Sequence, residues 1–291
     1  MISSGRTRAT KWLLGAPLLI FAAVFVVFPV FQGVQTSFFG LTLLSPDTPW
    51  VGLKNYVALF TSPGFLDAAR FTILFAVGVT ILETAGGFGL AFLVNREFPG
   101  KKALFTLLLM PIMIAPALLG VMFRLLLNGD IGLVPEVLSH LGVQVSLFAP
   151  DSIVPLLVVL DLLQWTPFTF LIIYAGLQSF PDEILEAAQV DGAGRFRMVT
   201  SIIVPILQPV IVAAAFLRLI DAIRTFDVIY VLTAGGPGTL TTTLSIFIYK
   251  AAFVSGDFGL AAAASTVVMI VLLPLVPVLI KRIVRPDGGK A

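Results

Sequence analysis

Cysteine is absent from the chain, histidine occurs once, and charged residues make up only 12% of the 291 positions. Without cysteine there is no disulfide framework, no thiolate nucleophile and no cysteine-based metal site. The one histidine, His140, lies in a loop-like stretch and reads as a solvated loop residue, so no cluster of imidazole ligands is expected. No G-x-x-x-x-G-K-[ST] element is present to cradle phosphates. The net charge of +2 is not gathered into one basic patch, which argues against nucleic acid as a partner.

What the chain has in abundance is apolar surface. Apolar residues make up 58% of it, in several uncharged stretches long enough to cross a hydrocarbon core of about 30 Å. Six stretches pass that length test: 12–39, 71–95, 103–123, 152–180, 198–220 and 258–280. The expectation is an all-α membrane protein with six transmembrane helices in a single domain, 1–291, embedded in the lipid bilayer. The first stretch follows Arg6, Arg8 and Lys11 as a signal peptide would, but its apolar run is too long, so it reads as a retained anchor. Pro111, Pro116, Pro205, Pro209 and Pro274 fall inside spans and predict kinks, with neighbouring helices satisfying the freed carbonyls.

The basic residues set the orientation. Arg6, Arg8, Lys11, Arg96, Lys101, Lys102, Arg195, Arg197, Lys281, Arg282, Arg285 and Lys290 fall on one face, whereas the loops of the other hold only Lys54, Arg70 and Lys250. The first face is therefore read as cytoplasmic, with both termini inside, in a plasma membrane. An uncharged run at 228–249 is broken by Ala234-Gly235-Gly236-Pro237-Gly238 and reads as an outer loop, either dipping partway into the membrane or packed against the bundle mouth.

The loop at 181–197 predicts a helix–turn–helix outside the bilayer. Pro181 suits a first helical turn, Asp182 and Glu183 complement the helix dipole, Ser179 is placed to cap, and Asp191-Gly192 with Gly194 favours a turn. Ala187 and Ala188 keep one face flat for a docking protein, and Glu186 and Asp191 offer carboxylates to basic partners. Glu186-Ala187-Ala188, three residues, Gly192, nine residues, Ile202, one residue, then Val204-Pro205 resembles the EAA loop of ABC importer permeases. That family usually has leucine where Val204 stands.

The resemblance implies a type I ABC importer permease fold. It makes Glu186, Ala187, Ala188, Asp191, Gly192 and Ala193 a coupling helix seated on an ATPase subunit. ATP and its magnesium would then belong to that ATPase dimer, with no cofactor, metal or catalytic group on this chain. The implied partners are a second permease, the ATPase dimer and an external binding protein. Gly52-Leu53-Lys54-Asn55-Tyr56, Thr166-Pro167-Phe168 and Phe226 to Thr233 followed by Gly235-Gly236-Pro237 resemble the carbohydrate branch, closest to the first permease of a heterodimer. A di- or oligosaccharide is the implied solute, with glycerol phosphate as the non-sugar alternative.

Intramembrane polar residues are costly in lipid and are the candidates for a solute path. Asp161, Gln164, Trp165 and Phe168 share one helical face, where polar groups would bond sugar hydroxyls and a ring would hold an apolar pyranose face. Arg218, Asp221, Arg224 and Asp227 recur every three residues with alternating sign, and either line a cavity or pair with one another. Tyr230 joins this set, and Glu83 and Arg124 are placed to pair across helices, a structural role being favoured for Glu83. A secondary transporter is the rival class, sharing midplane charges but not requiring the docking loop. A membrane-embedded enzyme would need paired carboxylates, a nucleophile and base, or metal ligands within reach, which the scattered acids do not supply.

Overall fold

The computed structural model describes residues 14–44, 47–143, 146–179, 182–274 and 277. Among these the regular elements are all helical, and only two isolated bridges, Phe39 to Trp50 and Thr42 to Asp257, pair extended backbone. Four helices are long and apolar enough to span a bilayer: α1 (Leu14–Thr36), α3 (Pro63–Val94), α7 (Pro150–Gln178) and α9 (Phe196–Ile223). Around them lie α2 (Lys54–Thr61), α4 (Lys101–Leu109), α5 (Pro116–Leu126), α6 (Leu133–His140), α8 (Asp182–Val190) and α10 (Asp227–Thr233). Two shorter apolar helices, α11 (Leu244–Val254) and α12 (Phe258–Leu272), close the order.

The six expected spans are met unevenly. Four become single long helices; α3, with 32 residues, reaches about 48 Å and overshoots a hydrocarbon core of about 30 Å. The expected span at 103–123 is instead two helices meeting at 97°. Prolines explain the break. Pro111 and Pro116 lack amide protons, and the chain just ahead of Pro116 is driven out of the helical region: Ala115 has ψ 133° and Ile114 ψ 131°. The carbonyl freed at Ile114 accepts a hydrogen bond at 3.5 Å from Gln164 of α7, the cross-helix satisfaction that lipid demands. Of the expected span at 258–280, α12 describes the part to Leu272; Trp12 of the first span and most of 275–280 lie outside the described residues.

The uncharged run at 228–249 is broken at 234–238 as expected, but is helical on either side of the break. It folds as α10, a turn with Ala234 at φ 50° and Gly235 at φ 89°, and then α11. Its apolar side chains account for this, because Ile229, Leu232 and Ile246 are buried in a common core.

The chain divides into two compact units, one holding residues to Pro63 with Phe247–Val271, the other Gly64–Ile246. In the first, Asn55 donates to the carbonyls of Ser37 (2.8 Å) and Phe39 (2.9 Å), while Ser37 Oγ and Tyr56 Oη lie 2.6 Å apart. The Asn55-Tyr56 pair therefore ties off the segment that follows α1, a structural task. None of the residues of α1 is buried within the chain.

In the second unit, two apolar cores are stacked along α3, α7 and α9. One gathers Phe75, Val79, Leu157, Leu160 and Ala222; the other gathers Ala91, Phe170, Ile173, Leu207 and Ala214. At the crossing of α3 and α7, Gly87 allows close approach, since a Cβ there would lie 2.7 Å from the Phe170 amide nitrogen. Glu83, Asp161 and Arg218 fall between the two cores on their respective helices.

Candidate functional site

Arg218 of α9 is the centre of the polar interior. Its side chain is 1% exposed, and a guanidinium so shielded from water must be met by acceptors. Nε lies 2.5 Å from Glu83 Oε2, and Nη2 donates to Glu83 Oε1 at 3.1 Å. Nη2 also pairs with Asp161 Oδ2 of α7, and Nη1 donates to Asp221 Oδ2 at 3.2 Å, one turn along α9. The planar fork of arginine can address three carboxylates in different directions, which a point-charge ammonium does less well. One face of the guanidinium lies over the Trp165 ring, 5.1 Å from its centroid, within cation–π range.

The expected stripe on α7 therefore splits by burial. Asp161 and Gln164 are buried and already bonded, to Arg218 and to the Ile114 carbonyl, whereas Trp165 and Phe168 are half-buried and meet edge to face with centroids 6.3 Å apart. The series expected on the fifth span is divided between helices, with Arg218 and Asp221 on α9, Arg224 just past its end, and Asp227 and Tyr230 on α10, and it too splits by burial. Arg218 is enclosed, Asp221 is 50% exposed, and Arg224 and Asp227 lie toward the surface, while Tyr230 is half-buried and stacked on Phe226 at 4.9 Å. Glu83 pairs across helices, but with Arg218; Arg124 instead donates from Nη1 to the Val231 carbonyl at 3.0 Å. Sequence reasoning missed the Glu83–Arg218 pair, although a usable signal was there: two acids and one base, each set in an apolar run, had to find partners.

The helix–turn–helix at the other candidate site is built from local rules. α8 ends in a Schellman arrangement, with Gly192 at φ 73° and the Ala193 amide donating to the Ala188 carbonyl at 2.9 Å. A left-handed residue at that point favours glycine, and the reversed chain then leads into α9. Ser179 does not cap α8; its hydroxyl donates to the Gly176 carbonyl at the end of α7. Pro181 lies outside the described residues. Glu186 and Asp191 are exposed, but Ala188 is 7% exposed and so contributes to the chain's own packing, not to a flat outer face. Among the described residues the most exposed large apolar groups here are Val190 (87% exposed) and Phe196 (83%), for which the sequence pattern carries no distinguishing signal. A cleft of about 550 Å³ runs alongside, lined by Glu183, Ile184, Asp191, Arg197 and Ile202 among others.

Several apolar spans, ions shielded between two cores and a helix–turn–helix with exposed carboxylates together fit a polytopic membrane transport subunit. More narrowly, the chain belongs to the family of binding-protein-dependent transport system inner membrane components, whose profile matches residues 84–287. It is 35% identical over 278 residues to the trehalose/maltose transport system permease protein MalF of Thermococcus litoralis, covering 95% of this chain and 94% of that protein. The sulfoquinovosyl glycerol transport system permease protein SmoG of Agrobacterium fabrum is 35% identical, with 96% and 94% covered. The sn-glycerol-3-phosphate transport system permease protein UgpA of Escherichia coli is 34% identical, with 93% and 92% covered. Among solved structures, a bacterial ABC transporter involved in the import of the acidic polysaccharide alginate matches with a TM-score of 0.82 and 26% identity, covering 96% of this chain and 99% of that one. The alginate transporter in complex with an alginate pentasaccharide-bound periplasmic protein matches with a TM-score of 0.81 and 25% identity over 94% of each chain.

Proposed function

We propose that this chain is the permease subunit of an ATP-driven importer and translocates a sugar handed over by an external binding protein. The observation that carries the reading is the Glu186 to Pro205 loop, spaced as in ABC importer permeases, lying within the family match and folded as helix, left-handed turn and helix. Relatives that carry trehalose or maltose, sulfoquinovosyl glycerol and glycerol 3-phosphate support a carbohydrate or polyol-derived solute.

In this reading α8 is the coupling helix. Glu186, Asp191, Val190 and Phe196 meet the ATPase subunit, Gly192 shapes the turn, and Ala188 holds the helix to its own chain. The face carrying this loop is cytoplasmic, as the distribution of lysine and arginine supports, and both termini lie on that side. The solute passes the accessible groups of α7, α9 and the start of α10, where the Trp165 and Phe168 rings offer stacking and Asp221, Arg224 and Asp227 offer hydrogen bonds. A second permease completes the path, and ATP with its magnesium is held and hydrolysed by the ATPase dimer. The chain itself performs no covalent chemistry.

The test is reconstitution of the whole complex in proteoliposomes. ATPase activity should rise when the binding protein carries maltose or trehalose, and uptake should require every subunit. Uptake that persists without an ATPase would point to a secondary transporter and overturn the proposal. A phosphorylated polyol is the second reading, favoured by the accessible Arg224 cation beside the path.

A further inference from the structure

Glu83 and Arg218 play no part in the proposed path, yet among the described residues they are the most deeply enclosed ions in the second unit, at 0% and 1% exposed. Asp161 joins them at 8%, and all three sit between apolar cores, out of reach of a solute. The two remaining neighbours of the guanidinium are different. Asp221 has half of its side chain exposed, and Trp165 is half-buried. Arg218 thus has an inner set of partners, on α3 and α7, and an outer set that faces the path.

The division follows the donors. Nη2 donates to both Glu83 and Asp161, and Nε, which makes no hydrogen bond, lies in ion-pair contact with Glu83 Oε2; together these fix the plane and rotation of the guanidinium. With the plane fixed, Nη1 has one direction left, and Asp221 Oδ2 lies along it at 3.2 Å. The π-face is fixed as well, and it covers the Trp165 ring. Three helices are required: no change on α9 alone could hold the plane.

We infer that Arg218 is a positioning residue, locked by Glu83 and Asp161, that presents the Trp165 ring and the Asp221 carboxylate to the passing solute without touching it. This rests on reading Trp165 and Asp221 as part of the path. It makes Asp161 and Arg218 supports, alongside Glu83 for which a structural role is already favoured, and makes solute affinity depend on a residue on α3 that has no access to the solute. Charge alone does not suffice, because lysine keeps the charge but loses the fork.

Two measurements test it, the first on the purified full-length chain in detergent and the second on the assembled complex. In a Trp12→Phe, Trp50→Phe background, Trp165 is the one tryptophan left of three. Arg218→Lys should then shift its emission to the red and increase its quenching by acrylamide, with helix content by circular dichroism unchanged. An unaltered emission and quenching would overturn the inference, and this arm needs no solute. In the second arm, Arg218→Met with Glu83→Gln and Asp161→Asn removes all three charges together, so no ion is left unpaired in the interior. Uptake of radiolabelled maltose, trehalose and glycerol 3-phosphate is followed. KM should rise about tenfold with Vmax kept, since one charged hydrogen bond and its ring contact are lost from the path. If the neutral triple variant regains the parent KM, Arg218 serves only to hold the helices together, and the inference fails. If the parent complex takes up none of the three solutes, the sugar and polyol reading fails, and the fluorescence arm still decides the role of Arg218.

Discussion

Arg218 and Glu83, 135 positions apart in the chain, meet with Nε 2.5 Å from Oε2 while both side chains are almost wholly shielded. The pair joins α9 to α3, and Asp161 extends the link to α7. Ions in such a place stabilise only as a set: their desolvation is offset by mutual attraction, and removing one strands the others.

Loss of a single partner should therefore be severe. Arg218→Met on its own leaves Glu83 and Asp161 facing each other without a counter-ion, and should destabilise the folded chain by about 3–5 kcal/mol. Thermal unfolding of the purified protein in detergent checks this. Glu83→Gln, which keeps shape and one acceptor, should cost less; equal losses would show that packing and not charge dominates.

Gly87 sets how closely α3 and α7 approach. A Cβ there would fall 2.7 Å from the Phe170 amide nitrogen, so Gly87→Val must push the helices apart. The expected destabilisation is about 1–3 kcal/mol, read from the same unfolding curves. A parallel substitution at Gly89, where an added Cβ meets nothing within 4 Å, is the control and should be near neutral.

At the helix–turn–helix, Gly192→Ala introduces a side chain at φ 73° and should cost about 1–2 kcal/mol of local order. Glu186→Arg reverses an exposed charge without touching the core. Each should reduce uptake and uncouple ATPase activity from solute while the chain remains folded and inserted. Normal import by Glu186→Arg would refute the coupling role.

Val190 and Phe196 are large apolar groups left open to the surroundings on that same loop. Val190→Ser with Phe196→Ser should leave the unfolding temperature of the isolated permease nearly unchanged, because neither side chain is buried in it. Co-purification of the ATPase subunit should fall sharply. Unchanged co-purification would move the docking surface elsewhere.

Features that depend on neighbouring residues were legible in the amino-acid sequence alone, because local and additive physics needs no knowledge of distant partners. Long apolar runs dictated helices in a membrane, prolines marked where they would bend, Asp191-Gly192 dictated a turn, and the spacing of Glu186 to Pro205 carried the family. Packing between distant segments settled the rest. It turned 103–123 into two helices at 97° instead of one kinked span, because Gln164 of α7 was in place to take the freed Ile114 carbonyl. It made packed helices of both sides of the break in 228–249, because Ile229, Leu232 and Ile246 could reach a common core. It also divided the polar candidates, enclosing Asp161, Glu83 and Arg218 and leaving Trp165 and Asp221 at the edge. Helical periodicity puts Asp161 and Trp165 on one face, but which of them meets a guanidinium, a lipid or open space depends on a helix whose arginine lies 57 residues further along the chain.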